Sequence, residues 1–130
     1  MDDEEAVRRV IGLTLWGMGH EVEVAEDGQM AVEVYKKAKS LGRHFDVVIL
    51  DLMVPGGMGG REAIQALLQI DPAVKAVVMS GYANDPVVLE HDRYGFKGAL
   101  AKPFNLGQLR EILSRVLGSS PGSKARPRHE

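Results

Sequence analysis

There is no cysteine among the 130 residues, which excludes a disulfide framework, a thiol nucleophile and a thiolate metal site, and suits a reducing compartment. No apolar run approaches the length of a bilayer span, and the N-terminus opens on acidic residues rather than a basic-then-apolar stretch. Neither a membrane span nor a secretory signal is expected. An excess of positive charge is missing too: the formal net charge is -2, so nothing global draws the chain to nucleic acid or anionic lipid, although its last stretch is locally basic. These absences predict a cytoplasmic protein with no membrane partner and no direct nucleic-acid partner.

The length is that of a single domain. With 45% apolar and 26% charged residues, the composition is that of an ordinary globular protein rather than a disordered one. Val7, Val10, Ile11, Leu15 and Met18 recur at helical spacing, with Asp3 placed to cap the start and Gly17 and Gly19 to end it. His20 to Ala25 alternates valine with glutamate, as a strand near a sheet edge would. Ala31, Val34, Tyr35 and Ala38 form a second helical stripe. Val47, Val48, Ile49 and Leu50 then run without polar alternation, the mark of a buried parallel strand. The scheme repeats through a helix at Gly59 to Ile70, a strand at Val74 to Met79, a helix at Pro86 to Tyr94 and a short strand at Ala99 to Ala101. A last helix carries Leu106, Leu109, Ile112, Leu113 and Val116. From Gly118 onward no apolar stripe continues, and the stretch rich in Gly, Ser, Pro, Lys and Arg reads as a flexible basic tail, 118–130.

Strands alternating with helices imply parallel right-handed crossovers and helices on both sheet faces, an α/β doubly wound fold. In such sheets the functional crevice lies beyond the carboxyl ends of the strands. Asp51 follows the most apolar strand directly, Ser80 follows the Val77 to Met79 strand, and Lys102 follows the Ala99 to Ala101 strand. Asp2 and Asp3 precede the first helix. Taken singly, the acidic pair reads as a cap and a solvated charge, Ser80 as a turn residue and Lys102 as a surface cation. Convergence on successive strand ends favours a shared site. Three carboxylates, a backbone carbonyl and water make a hard oxygen site suited to Mg²⁺, and Lys102 with the Ser80 hydroxyl would hold phosphoryl oxygens. Phosphoryl transfer to an ionised carboxylate then needs positioning and charge neutralisation but no general base.

The segments Asp2-Asp3-Glu4-Glu5, Asp51-Leu52-Met53-Val54-Pro55, Ser80-Gly81-Tyr82 and Lys102-Pro103-Phe104 resemble, in order and spacing, the signatures of response-regulator receiver domains of two-component signalling. The resemblance covers the chain to about Leu117 and implies a receiver domain over 1–117 with the flavodoxin-like strand order 2-1-3-4-5. It implies Asp51 as phosphoacceptor, Asp2, Asp3, Asp51 and the Met53 backbone carbonyl as Mg²⁺ ligands, and Ser80 and Lys102 as the switch hydroxyl and phosphate-binding lysine. A histidine kinase or phosphotransfer domain is the implied partner, and a cis Lys102–Pro103 bond is implied as well. Its chemistry would be confined to self-phosphorylation and autodephosphorylation, not turnover of a separate substrate. The stretches Val54 to Glu62, Ser80 to Pro86 and Tyr94 to Gly98 are similar to receivers fused behind hybrid sensor histidine kinases.

Two departures carry expectations of their own. Family members begin with an apolar central strand ahead of the acidic pair, and within these residues only Met1 stands in its place. If that strand is truly absent, the unpaired backbone on either side predicts a dimer or strand-swapped assembly; the alternatives are a start misplaced within the strand and a rearranged sheet. Ala99 stands where the family places an aromatic switch residue, so signalling by turning that side chain inward is not expected. An alternative is therefore a phosphorylation-independent interaction module of the same fold. A third reading, a small phosphohydrolase using Asp51 as nucleophile, lacks an acid two residues onward, where Met53 stands.

Overall fold

The computed structural model describes residues 1–118. Its helices are α1 Glu5–Gly17, α2 Gly28–Ser40, α3 Gly60–Ile70, the short α4 Pro86–Leu89 and α5 Leu106–Leu117, with a 3-10 turn at His91–Tyr94. Its strands are β1 Val48–Asp51, β2 Ala76–Ser80 and β3 Gly98–Ala101. They form one parallel sheet in the order β1-β2-β3, and Asp51 stands opposite Met79 while Ser80 stands opposite Ala101. The α/β class and the parallel pairing are as expected. The Lys102–Pro103 bond is cis. The expected tail lies outside the described residues except for Gly118, whose left-handed φ of 63° ends α5.

Each strand is apolar because both sheet faces are covered. On one face Leu50, Ala76 and Val78 meet α2 and α3 through Tyr35, Ala63, Ile64 and Leu67; on the other Ile49, Val77, Met79 and Leu100 meet α5 through Leu109, Ile112, Leu113 and Val116. Helix ends follow local chemistry. Asp27 accepts from Met30 N–H at 2.8 Å to cap α2, and Asn105 and Gln108 form a reciprocal capping box at the start of α5.

The structure corrects several local readings. His20 to Ala25 adopts no regular strand. Alternation alone does not make one, because a strand needs a hydrogen-bonded neighbour, and among the described residues this segment has only isolated backbone bonds, from Asp2 N–H to Ala25 at 3.1 Å and from His20 N–H to Leu15 at 3.1 Å. Asp3 does not cap α1: Glu4 holds that position without a side-chain bond, and Asp2 Oδ1 accepts from Glu4 N–H at 2.9 Å instead. No residue of α1 is buried, and Val10, Leu13 and Trp16 are exposed, so only Ile11, Leu15 and Met18 of the expected stripe pack on the core. The helix expected at Pro86 to Tyr94 breaks into α4 and the 3-10 turn. His20, expected at the surface or in a loop, is a loop residue but buried.

A part-buried hydrogen bond ties α2 to the loop before β2. Tyr35, only 3% exposed, donates its hydroxyl to Asp71 Oδ2 at 2.6 Å. That bond, more than anything else, holds the Asp71 carboxyl below its ordinary range, while burial pushes the Tyr35 phenol up. Tyr35→Phe is expected to cost about 1 kcal/mol in urea unfolding at neutral pH. Because the folded-state pKa of Asp71 is depressed, its contribution is present above the unfolded value and is lost as pH falls through the folded one. The difference between the two proteins should therefore shrink in acid, and a difference constant with pH would refute the assignment.

Candidate functional site

The carboxyl ends of the strands set the crevice. Leu50 is completely buried, and Asp51 is the last residue of β1, 5% exposed. Its N–H donates to the Met1 carbonyl at 3.0 Å, and the Met1 amino group donates to the Ile49 carbonyl at 2.6 Å. Met1 thus lies alongside β1 and delivers Asp2 next to Asp51. Asp2 is 1% exposed and is fixed by the Glu4 N–H on one carboxylate oxygen and by Lys102 on the other. Arg8 Nη1 donates to its carbonyl at 2.8 Å.

Lys102, one residue past β3, reaches back across the sheet end. Its Nζ lies 2.7 Å from Asp2 Oδ2 and 3.4 Å from Asp51 Oδ2. Asp2, Asp3 and Asp51 each offer one carboxylate oxygen, all within 4.8 Å of one another. Asp2 and Asp51 are buried and Asp3 exposed. Ser80 ends β2, 1% exposed, and its Oγ accepts from Tyr82 N–H at 3.0 Å while its carbonyl accepts from Lys102 N–H at 2.8 Å. Met53 follows two residues after Asp51 with its side chain exposed. Asp2, Asp3, Asp51 and Lys102 are therefore brought together, with Ser80 at the neighbouring strand end.

The electrostatics record the crowding. Burial first, and the Asp2 charge second, raise the Asp51 carboxyl to about 6, against the partial offset of Lys102. Burial also works to raise Asp2, but the hydrogen bonds from Lys102 and Glu4 N–H hold it below the usual carboxylate range. Burial works to lower Lys102, and its carboxylate partners outweigh that and hold it up. The Met1 amino group, which sequence reasoning did not single out, falls to about 6 through burial. One ammonium facing a cluster of carboxylates leaves negative charge uncompensated, and a hard divalent cation with oxygen ligands fits that donor set.

The loop after Asp51 is held by close backbone approach. A Cβ on Gly60 would stand 2.9 Å from the Asp51 carbonyl, and one on Gly59 would overlap the Leu52 carbonyl. Gly28 N–H donates to the Met58 carbonyl at 2.7 Å. The glycines beside Asp51, read from the sequence as a flexible loop, thus include two required by packing. Ala99 is half-buried in β3 against the α2–α3 side of the core, and nothing in its methyl group supplies the reach of an aromatic side chain.

A model of the response regulator receiver domain matches residues 1–114. The chemotaxis protein CheY of Thermotoga maritima is 32% identical over 117 residues, covering 89% of this chain and 92% of that protein. Among solved structures, CheY4 of Vibrio cholerae is 32% identical with a TM-score of 0.74, covering 88% of this chain and 92% of that one. The receiver domain of the sensor histidine kinase PA1611 of Pseudomonas aeruginosa, solved with a magnesium ion in its active-site cleft, has a TM-score of 0.78 at 24% identity and covers 92% of this chain and 94% of that one; at that identity the likeness shows the fold. The match over nearly the whole described chain, together with the acidic cluster and lysine at the strand ends, means that this chain belongs to the response-regulator receiver domain family.

Proposed function

We propose that Asp51 accepts a phosphoryl group from the phosphohistidine of a histidine kinase or phosphotransfer domain, and that the chain signals through altered partner binding. The observation that carries this reading is the buried Asp51 carboxylate with Lys102 Nζ 3.4 Å away and the Asp2 and Asp3 carboxylates beside it. With its pKa at about 6, Asp51 is mainly ionised at neutral pH and is a nucleophile without a general base. Its oxygen attacks phosphorus, the phosphorus–nitrogen bond to the donor imidazole breaks, and that imidazole leaves with the electron pair. Lys102 neutralises charge on the incoming phosphoryl oxygens, and the Ser80 hydroxyl would donate a hydrogen bond to one of them once the acyl phosphate has formed. Asp2, Asp3, Asp51 and the Met53 carbonyl would hold Mg²⁺, which supplies the positive charge needed to bring an anionic phosphoryl group to a carboxylate. The remaining chemistry is hydrolytic loss of that group from the chain's own side chain. The receiver unit in this proposal spans 1–117 and acts in the cytoplasm, within a phosphorelay.

Ala99, standing in β3 without an aromatic ring, favours a second reading, a binding module whose partner affinity does not depend on phosphorylation. Intact-mass measurement after incubation with acetyl phosphate separates the two. The expected result is a labile gain of one phosphoryl group with Mg²⁺ present and none in a chelator. A folded chain that gains no adduct would leave the binding module. Sustained release of phosphate from simple esters would instead point to a hydrolase.

A further inference from the structure

Asp2 is held through its backbone and its side chain alike. Its N–H donates to the Ala25 carbonyl at 3.1 Å, and its two carboxylate oxygens accept from Glu4 N–H at 2.9 Å and Lys102 Nζ at 2.7 Å. Its carbonyl accepts from Arg8 Nη1, 2.8 Å away on the first turns of α1. Two of these partners are backbone groups and a third is the lysine that also faces Asp51. Arg8 is the fourth, a side chain that touches the backbone joining Asp2 to Asp3. We propose that Arg8 is a positioning residue for the divalent-cation site: it fixes the peptide plane between Asp2 and Asp3, and with it the directions in which their carboxylates leave the chain. This rests on the reading of Asp2, Asp3 and Asp51 as cation ligands.

The surroundings of the two aspartates carry the argument. Asp2 is 1% exposed, so its carbonyl has little water to turn to, and a buried acceptor deprived of its donor is costly to leave in place. Without the guanidinium, the Asp2–Asp3 peptide gains by rotating toward solvent and takes Asp3 with it. Asp2 would still be steered by Glu4 N–H and Lys102. The Asp3 carboxylate is exposed and makes no hydrogen bond or ion pair with another described residue, so its direction is inherited from the backbone that Arg8 holds. Ligands fixed before the ion arrives lose less freedom when it binds. Charge alone predicts the opposite sign. A guanidinium repels a divalent cation, so an Arg8 that acted only as a charge would tighten Mg²⁺ binding when removed.

The test is calorimetric titration of the full chain with MgCl₂, without a phosphoryl donor, on the parent, Arg8→Gln, Arg8→Ala, Arg8→Lys and Arg9→Gln, each first checked for native helix content by circular dichroism. Arg9 is the exposed neighbour on α1, and Arg9→Gln removes the same charge without touching Asp2. Alanine is the strongest helix former, so Arg8→Ala guards against loss of α1 itself. Arg8→Gln and Arg8→Ala should each weaken Mg²⁺ binding about fivefold. Arg8→Lys, which keeps a donor, should stay within about twofold of the parent, and Arg9→Gln should bind as the parent does or slightly more tightly. In the acetyl phosphate reaction, the Mg²⁺ concentration giving half the maximal adduct rate should rise by the same factor in Arg8→Gln, while the rate at saturating Mg²⁺ stays near that of the parent. Mg²⁺ binding undiminished or tightened in both Arg8→Gln and Arg8→Ala would overturn the positioning role and leave the cation site standing. Equal weakening by Arg9→Gln, or a lower saturating rate with unchanged half-saturation, would overturn it too. A folded parent chain that binds no Mg²⁺ would instead overturn the cation reading of the three aspartates, and the role of Arg8 with it.

Discussion

Asp51→Asn is expected to abolish the phosphoryl adduct completely, and yet to make the metal-free chain harder to unfold at neutral pH. Both effects come from the same burial. Removing the carboxylate removes the nucleophile, and no neighbouring group replaces it: Asp2 is occupied by Lys102 and Glu4 N–H, and Asp3 lies exposed. The carboxylate also costs stability where it stands. Its folded pKa of about 6 lies above the unfolded value of about 4. Between those values the folded chain binds more protons than the unfolded one, so stability falls as pH rises through that window, and the deficit is complete above it. Asparagine escapes that penalty, giving a gain of about 1–3 kcal/mol in urea unfolding at pH near 7.5 with a chelator, fading toward pH 4. With Mg²⁺ present the order should narrow or invert, because the parent chain gains stability from a ligand that the variant binds poorly. An adduct persisting in Asp51→Asn would move the phosphoacceptor elsewhere. A variant less stable than the parent at neutral pH in chelator would overturn the electrostatic account.

Leu67→Ala should be a severely damaging core truncation on α3, costing about 2–5 kcal/mol. Leu67 is fully buried in the cluster that also contains Leu50, Ile64, Val78 and Phe96, so its loss empties space between α3 and the strand that carries Asp51. Against a total stability of about 5–15 kcal/mol for a domain of this kind, that is a large fraction. Urea unfolding should show a lower midpoint with little change in slope. Leu13→Ala is the control: Leu13 is 63% exposed on α1 and should shift stability by no more than about 0.5 kcal/mol. Equal effects at the two leucines would contradict the packing described for α3.

Much of the architecture was legible because it rests on local signals. Val47 to Leu50 and Val77 to Met79 are uniformly apolar runs, and only a strand covered on both faces uses such runs. Asp51, Ser80 and Lys102 each follow a run of this kind by one residue, so a parallel fold has to carry them to the same edge of the sheet. The glutamate and valine alternation from Glu21 to Val24 was just as clear a signal, and it failed. Pairing is a property of two backbones, and among the described residues this segment meets a neighbouring backbone at Asp2 alone on its strand-like stretch, through Ala25. The division of labour within the acidic pair was illegible for the same kind of reason. Which of Asp2 and Asp3 turns inward depends on where Lys102 arrives, and Lys102 lies 100 residues away from Asp2 in the chain.

What the sequence determined by itself is the class of fold, the order of its elements and the residue types at the strand ends, since periodicity and sharp polar-to-apolar boundaries are written locally. Only the tertiary structure decided that Lys102 bonds Asp2 more closely than Asp51, that Asp2 turns inward while Asp3 stays exposed, and that Met1 lies alongside β1. Those features depend on distances between segments remote in the chain, and no local pattern of residues encodes a distance.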